Sequence, residues 1–255
     1  MYTGIYEIAG QCVGISSLHK QVHQLCCNYV ADGTPNVVIS TNQAHIDYER
    51  ERSAAEDALE GREAFNYEDA YLETLAVYRQ LANALLDKDI LLFHGSVVAV
   101  DGVGYLFTAK SGTGKSTHTR LWRQLFGDRA VMINDDKPLI HIGNGGVTVY
   151  GTPWNGKHRL GTNTSVPLRA ICVLERGEEN VIHPANADDI YPLLLQQTYR
   201  PSDPVAMVRV LELLDGLIAG VRLYRLACNM DPSAAQVAYD GMAEPSAMTD
   251  DKGFA

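Results

Sequence analysis

Short apolar runs bounded by turn-forming residues recur along the chain, and runs of this kind are typical of β-strands. The predicted strands cover 1–16 (as a pair with Gly10 near the turn), 36–41, 90–93, 97–100, 103–107, 130–134, 139–142, 147–151, 169–174, 181–183 and 223–226. Two tight turns stand out between them. Asp101-Gly102 and the stretch 143–146 each separate two apolar runs, and both predict antiparallel hairpins, because these residue types tolerate positive φ. We also expect 169–174 to pair with 181–183.

Helical spacing of apolar positions is found in fewer segments. The predicted helices cover about 21–29, a stretch capped by Asn66 with Glu68 and Asp69 in its first turn, 117–125, the amphipathic stretch 203–220, and a segment that begins at Asp231-Pro232. The dense charge run 47–63 is interpreted as a solvated loop or a surface helix. We divide the chain into an N-terminal portion (residues 1–89) packed on the core, the core itself (residues 90–242) and a frayed tail (residues 243–255).

Composition narrows the class of protein. Hydrophobic residues make up 46% of the 255 positions, which is enough for a core, and the formal net charge is −10. A negative balance argues against general nucleic-acid binding, which needs a surplus of Lys and Arg. The five Cys residues show no metal-ligand spacing and are interpreted as reduced thiols. No apolar run approaches about 18 residues and no signal pattern opens the chain, so we expect a cytoplasmic protein without a membrane partner.

One segment predicts phosphate chemistry. Residues 109–116 read AKSGTGKS, a relaxed P-loop between a predicted strand and a predicted helix. Glycines there let backbone N–H groups turn toward a phosphate, the lysine supplies positive charge, and the serine hydroxyl can bind Mg²⁺. The alternative is an ordinary glycine-rich turn. The candidate nucleotide-binding residues are Ala109, Lys110, Ser111, Gly112, Thr113, Gly114, Lys115, Ser116 and Thr117.

Two carboxylates follow the next predicted strand. Asp135 and Asp136 come 20 and 21 residues after Lys115. One of them could hold Mg²⁺ while the other takes a proton from an attacking hydroxyl. Because neighbours on a strand point to opposite faces, both can reach one site only if the chain turns at Asp135. A plain surface turn is the alternative. His94, after an apolar strand, is a candidate functional residue, although a lone histidine is more often structural.

Together these pieces resemble one family. The stretch FHGSVVAVDGVGYLFTAKSGTGKS followed by VMINDDKP resembles the kinase domain of HPr kinase/phosphorylase and, more distantly, the nucleotide core of ATP-dependent phosphoenolpyruvate carboxykinase. The resemblance implies an α/β fold with a mixed sheet and antiparallel hairpins flanking the P-loop. It implies ATP and Mg²⁺ as cofactors, a homo-oligomer, and a Ser or Thr of a peptide or protein as acceptor. Lys115 would contact the phosphates, Ser116 and Asp136 the metal, with Asp135 as base and His94 near the transferred phosphate; the roles of the two aspartates could be exchanged.

The family's glycine-rich signature after the acidic pair is absent, and GTPWNGKHRLG (151–161) stands in its approximate place. We interpret this segment as an exposed loop whose cations Lys157 and Arg159 either bind phosphates or an acidic acceptor, or are merely solvated. The sequence thus predicts a kinase. A nucleotide-binding sensor without transfer and a small-molecule kinase remain alternatives.

Overall fold

The computed structural model describes residues 1–59, 61, 63, 65–110, 112–156 and 158–243, which adopt a mixed α/β fold. The described strands are β1 (Tyr2–Ile8), β2 (Gln11–Ser17), β3 (Val37–Ser40), β4 (Ile90–Leu92), β5 (Ser96–Val100), β6 (Val103–Thr108), β7 (Ala130–Asn134), β8 (Leu139–Gly143), β9 (Gly146–Tyr150), β10 (Ser165–Arg176), β11 (Val181–Pro184) and β12 (Arg222–Cys228). The described α-helices are α1 (Gln21–Leu25), α2 (Gln43–Leu59), α3 (Asp69–Leu85), α4 (Lys115–Phe126), α5 (Ala187–Gln197), α6 (Pro204–Gly220) and α7 (Ser233–Ala243). None of these helices combines the length and apolar character that crossing a membrane requires.

Within the described residues the strands form two sheets. The smaller has the order β1-β2-β3, and the larger, nine-stranded sheet follows the path β4-β8-β9-β10-β6-β5-β7, with β12 beside β10 and β11 beside β12. The larger sheet is mixed, because β10 lies parallel to β6 and β12 but antiparallel to β9. The first hairpin forms as the sequence predicts. Asp101 and Gly102 have φ of 51° and 78°, and β5 pairs antiparallel with β6 around them.

The larger sheet is covered on both faces. Alternate residues of β5 show this directly: Val97 and Ala99 pack with buried residues of α5 and α6, whereas Val98 and Val100 pack with α4 and α7. A third apolar cluster joins the smaller sheet to α3, β4 and Trp154. Burial of alternate side chains on opposite faces is what the continuous apolar runs of central strands require. The larger sheet is therefore the scaffold on which the loops at its edges are held.

Several sequence predictions need correction. β11 pairs with β12 and not with β10, so the expected pairing of 169–174 with 181–183 is wrong. Glu68 and not Asn66 is the N-cap of α3, and it makes no side-chain capping hydrogen bond. The sequence pattern does not predict helix α5. The charge run 47–63 belongs largely to α2, which resolves the choice between loop and helix as far as Leu59. The predicted tail lies, apart from Ala243, outside the described residues, and the division at residue 89 stays a prediction.

Candidate functional site

The topology brings the candidate residues to one edge of the larger sheet. β5 lies between β6 and β7 and is antiparallel to both, so the ends of β6 and β7 meet the start of β5. The glycine-rich loop follows β6, the acidic pair follows β7, and His94 precedes β5. Two hydrogen bonds fasten this edge: Ser96 Oγ donates to the Asp135 carbonyl at 2.9 Å and Gly95 N–H to the Asp136 carbonyl at 3.0 Å. Segments that are far apart in the sequence therefore form one site.

The glycine-rich loop has the backbone that a phosphate cradle needs. Gly112 and Gly114 have φ of 77° and 122°, a region that disfavours side chains, although a Cβ at either position would meet no atom within 4 Å. Conformation, and not space, thus requires glycine at both positions. Thr113 N–H donates to the Lys110 carbonyl at 3.2 Å, and α4 begins directly afterwards at Lys115. A helix N-terminus offers free N–H groups and a positive dipole end to an anion.

The remaining predicted residues of the loop lie around this turn. Ala109 is fully buried at the end of β6, and its carbonyl lies 3.5 Å from Lys115 Nζ. Ser116 and Thr117 lie in the first turn of α4, with Ser116 exposed. Ser111 lies outside the described residues. Burial lowers the pKa of Lys115, with the charge of Lys137 adding to this effect and Asp136 opposing it. The lysine ammonium is therefore within electrostatic reach of the acidic pair.

Asn134 turns the chain at the acidic pair. Its side chain is fully buried, and its Oδ1 accepts the N–H groups of Asp136 at 2.8 Å and of Lys137 at 2.6 Å. Its Nδ2 donates to Thr152 Oγ1 at 2.9 Å and to the Trp154 carbonyl at 3.3 Å. Strand β7 ends at Asn134, so the chain has left strand geometry before both aspartates. The condition under which both carboxylates can serve one site is met.

Asp136 lies among cations. Its Oδ1 is 3.3 Å from His94 Nε2 and 4.0 Å from Lys137 Nζ. Burial favours the neutral acid, but the hydrogen bond from His94 and the charges of Lys137 and Lys115 outweigh it and lower the pKa of Asp136. Burial also lowers the pKa of His94, against the hydrogen bond that its ring makes to Asp136. At neutral pH the Asp136 carboxylate is therefore ionised, and the Lys137 ammonium lies 4.0 Å from it.

Asp135 has a different environment. Only 6% of its surface is exposed, and its Oδ1 accepts the Gly156 N–H at 2.6 Å. Burial raises the pKa of Asp135, the Gly156 N–H opposes that shift, and the charge of Asp136 adds to it. A Cβ at position 156 would come within 3.2–3.3 Å of the Asp135 carboxyl atoms. The two neighbouring carboxyl groups thus have pKa values displaced in opposite directions, which is the pattern expected where one is to accept a proton.

The loop 151–161 differs from the sequence interpretation in its first half. Thr152 is fully buried and Trp154 is 7% exposed, so this half packs inside the protein and is not an exposed loop. Trp154 Nε1 donates to the Thr74 carbonyl of α3 at 3.0 Å. In the second half His158 and Arg159 are exposed, and Arg159 adopts a φ of 50° and donates its N–H to the Gly156 carbonyl at 2.9 Å. No contact places its guanidinium at the acidic pair among the described residues, and Lys157 lies outside them.

A groove opens on the opposite side of the glycine-rich loop. It has a volume of about 390 Å³, and its lining includes Lys110, Gly112, Thr113, the stretch 173–176 at the end of β10, and Leu193. Arg176 Nη2 donates to the Gly112 carbonyl at 2.9 Å. Since the acidic pair lies toward β7 and this groove toward β10, a polyphosphate in the loop would have carboxylates on one side and the groove on the other. The groove thus adjoins the glycine-rich loop on its β10 side.

Sequence reasoning missed several residues of this site. Lys137 follows the acidic pair directly, but nothing in the motif indicates a role for it. Arg176, Asn134 and Gly156 make their contacts with residues 18 or more positions away, and the local pattern of residue types does not reveal such contacts. Among these residues, only Asn134 could have been found from the sequence, because Asn and Asp favour turns and Asn134-Asp135 therefore indicates a turn at this point.

The oxygen donors at this edge are of the kind that magnesium binds. Mg²⁺ prefers carboxylate and hydroxyl oxygens and is usually bound through one or two protein groups together with substrate phosphates. Asp136 supplies an ionised carboxylate, and Ser116 supplies an exposed hydroxyl at the start of α4. These two residues would hold the ion, which would neutralise charge on the phosphates of a bound nucleotide.

Comparison with known proteins adds a similarity to solved structures. No protein-family model matches the sequence, and no curated protein matches it. Among solved structures the chain is similar to the Hpr(Ser) kinase/phosphatase from Coxiella burnetii, with 12% sequence identity and a TM-score of 0.34, over 59% of this chain and 95% of that one. At that level of similarity nothing about activity passes from that protein to this one, so we infer function from the site.

Proposed function

We propose that this protein is an ATP-dependent phosphotransferase that transfers the γ-phosphate to a hydroxyl of a peptide or protein. The observation that carries the proposal is the grouping of Lys115, His94 and Asp136 at the edge where the glycine-rich loop meets α4. A site that only binds phosphate needs the loop and one cation. The additional buried carboxylate of Asp135 supports chemistry.

The donor half of the site is the loop 109–114 with the start of α4. Backbone N–H groups and the helix dipole would surround the β-phosphate, and Lys115 would neutralise charge on the β- and γ-phosphates. The electrostatic effect of Asp136 on the pKa of Lys115 supports the expectation that the γ-phosphate points toward the acidic pair. The nucleoside would occupy the groove toward β10. The choice of ATP rests on the sequence resemblance in 93–116 and 131–138.

The acceptor half is Asp135. A carboxyl group whose pKa is raised by burial is a better proton acceptor than an ordinary aspartate, and the Gly156 N–H fixes its orientation. The acceptor oxygen would form a bond to the γ-phosphorus while the bond from that phosphorus to the β-phosphate oxygen breaks. The hydroxyl proton would move to Asp135, and ADP would leave. General-base groups typically contribute about 10²–10⁴-fold to a rate.

Incubation of the protein with γ-labelled ATP, Mg²⁺ and cell extract tests the proposal. We expect label on a protein band with the wild type, and a fall of about 10²–10⁴-fold with Asp135→Asn at unchanged ATP affinity. Lys115→Ala should lose both transfer and binding. Label on a small molecule would support a small-molecule kinase instead, and nucleotide binding without transfer would support a sensor. Wild-type turnover by Asp135→Asn would refute the base assignment.

A further inference from the structure

Arg176 reaches the glycine-rich loop from the neighbouring strand. It is the last residue of β10, which runs parallel to β6, and the pairing of Val173 with Thr108 brings the carboxyl ends of the two strands side by side. Its guanidinium donates from Nη2 to the Gly112 carbonyl at 2.9 Å. Ligands of open α/β sheets bind outside the carboxyl ends of parallel strands, so Arg176 lies where such a ligand would meet the loop.

The peptide group that joins Gly112 to Thr113 is bonded on both sides. Its carbonyl accepts from Arg176, and its N–H group, which belongs to Thr113, donates to the Lys110 carbonyl at 3.2 Å. Thr113 Oγ1 donates to the same Lys110 carbonyl at 2.8 Å. Because the peptide group is planar, it can turn only as a unit, and turning it would break both backbone contacts. These contacts therefore set the direction in which the loop runs before α4.

The direction of the loop determines which N–H groups are offered to a phosphate. The first hydrogen bond of α4 runs from the His118 N–H to the Gly114 carbonyl at 2.9 Å. The N–H groups of 115–117 come before it, have no helical carbonyl as partner, and are the donors that an anion at the helix start would meet. Glycine has the greatest backbone freedom of all residues, so a loop with glycine at 112 and 114 needs an outside contact to keep one shape.

We propose that Arg176 is a positioning residue that holds the glycine-rich loop in its phosphate-binding shape before a nucleotide arrives. The inference rests on the proposed function and deepens it, because it assigns part of the affinity for the phosphates to a residue outside the loop. A loop that is already ordered loses less conformational freedom when the ligand binds, which strengthens binding. A guanidinium suits this role, because a charged donor makes a stronger hydrogen bond than a neutral one and its planar shape fixes the direction of that bond.

The test compares Arg176→Met with Arg225→Met. Arg225 is a matched control because it lies on β12, the strand beside β10, and carries the same charge. Within the described part of the chain its guanidinium bonds to the Glu175 carboxylate and to the Asp189 carbonyl at 3.0 Å instead of the loop. Each variant removes one guanidinium and keeps an unbranched apolar stem, so a difference between the two is the effect of the contact with Gly112.

Hydrogen–deuterium exchange without nucleotide tests the contact itself. We expect the peptide that covers 109–116 to exchange about 3- to 30-fold faster in Arg176→Met than in the wild type, as the loss of one hydrogen bond implies, while peptides of β5 and β6 stay unchanged. Arg225→Met should exchange as the wild type does. Equal exchange of the loop in Arg176→Met and the wild type would overturn the inference. Faster exchange of the two strands as well would also overturn it, by showing a general structural role.

Calorimetric titration with MgATP and with magnesium tripolyphosphate tests the effect on binding. Arg176→Met should weaken both by the same factor, about 3- to 30-fold, because the loop holds phosphates in both ligands, and Arg225→Met should bind both as the wild type does. A loss for MgATP alone would overturn the inference by showing that Arg176 contacts the nucleoside, and so would unchanged affinity for both. If the wild type bound neither ligand, the proposed function itself would fail, whereas faster exchange of the loop in Arg176→Met would still show that Arg176 holds the loop.

Discussion

Replacing Asn134 with alanine should destabilise the protein more than a change of one small polar side chain normally does. The side chain is fully buried and makes three hydrogen bonds of good length, to the N–H groups of Asp136 and Lys137 and to Thr152 Oγ1, at 2.8, 2.6 and 2.9 Å. Each such bond contributes roughly 1 kcal/mol net, and more where a buried partner is left unsatisfied. We therefore expect a loss of about 3–5 kcal/mol in the free energy of unfolding.

Urea unfolding measured by tryptophan fluorescence, together with thermal melting, checks this value. A loss of about 3 kcal/mol should lower the melting temperature of a protein of this size by roughly 6–12 °C. The matched control is Asn180→Ala, because Asn180 makes two side-chain hydrogen bonds near the surface, to Ser233 Oγ at 3.0 Å and from the Asn229 N–H at 2.9 Å. We expect that control to lose less than about 1 kcal/mol, since water replaces its partners. Equal losses for the two variants would refute the account of Asn134 as the buried anchor of the acidic pair.

Two further predictions concern the site and its supporting helix. Gly156→Val should displace the Asp135 carboxylate and lower phosphate transfer at least about tenfold at unchanged ATP affinity. Steady-state kinetics measures both quantities. The control Gly145→Val, where a Cβ meets no atom within 4 Å, should keep wild-type activity. Burial lowers the pKa of His118 from 6.5 to about 4. Between these two pH values the unfolded chain binds a proton at His118 that the folded protein does not bind. The free energy of unfolding is therefore highest above pH 6.5 and falls by up to about 3 kcal/mol as the pH drops toward 4. In His118→Gln, which keeps an acceptor for the Trp122 indole N–H, melting curves between pH 7 and 4 should show a smaller loss than in the wild type; an identical loss would contradict this assignment.

The features of the fold that depend on local chemistry can be predicted from the sequence. Asp101-Gly102 predicts a hairpin because both residues must adopt positive φ, and strand β7 has its predicted bounds because a short apolar run ends at polar Asn134-Asp135-Asp136. The turns of the glycine-rich loop can be predicted for the same reason, because Gly112 and Gly114 adopt positive φ. In each case the residues that determine the structure are neighbours in the chain.

The features that depend on long-range pairing cannot be predicted in this way. Whether β11 pairs with β10 or β12 is decided by packing between segments far apart in the sequence, and an apolar pattern carries no information about strand order. The burial of Trp154 on α3 joins positions 80 residues apart, whereas the Gly/Pro-containing stretch around it predicts an exposed loop.

The central claim is that the backbone around Gly112 to Lys115 binds a polyphosphate whose magnesium ion is shared with Asp136. Calorimetric titration of ATP with and without Mg²⁺, in the wild type and in Asp136→Asn, tests it most directly. The account predicts that Mg²⁺ strengthens ATP binding to the wild type, that Asp136→Asn loses most of this gain, and that magnesium-free ATP binds the variant at least as tightly, because a negative charge near the phosphates is gone. No ATP binding by the wild type, or the same gain from Mg²⁺ in both proteins, would contradict it.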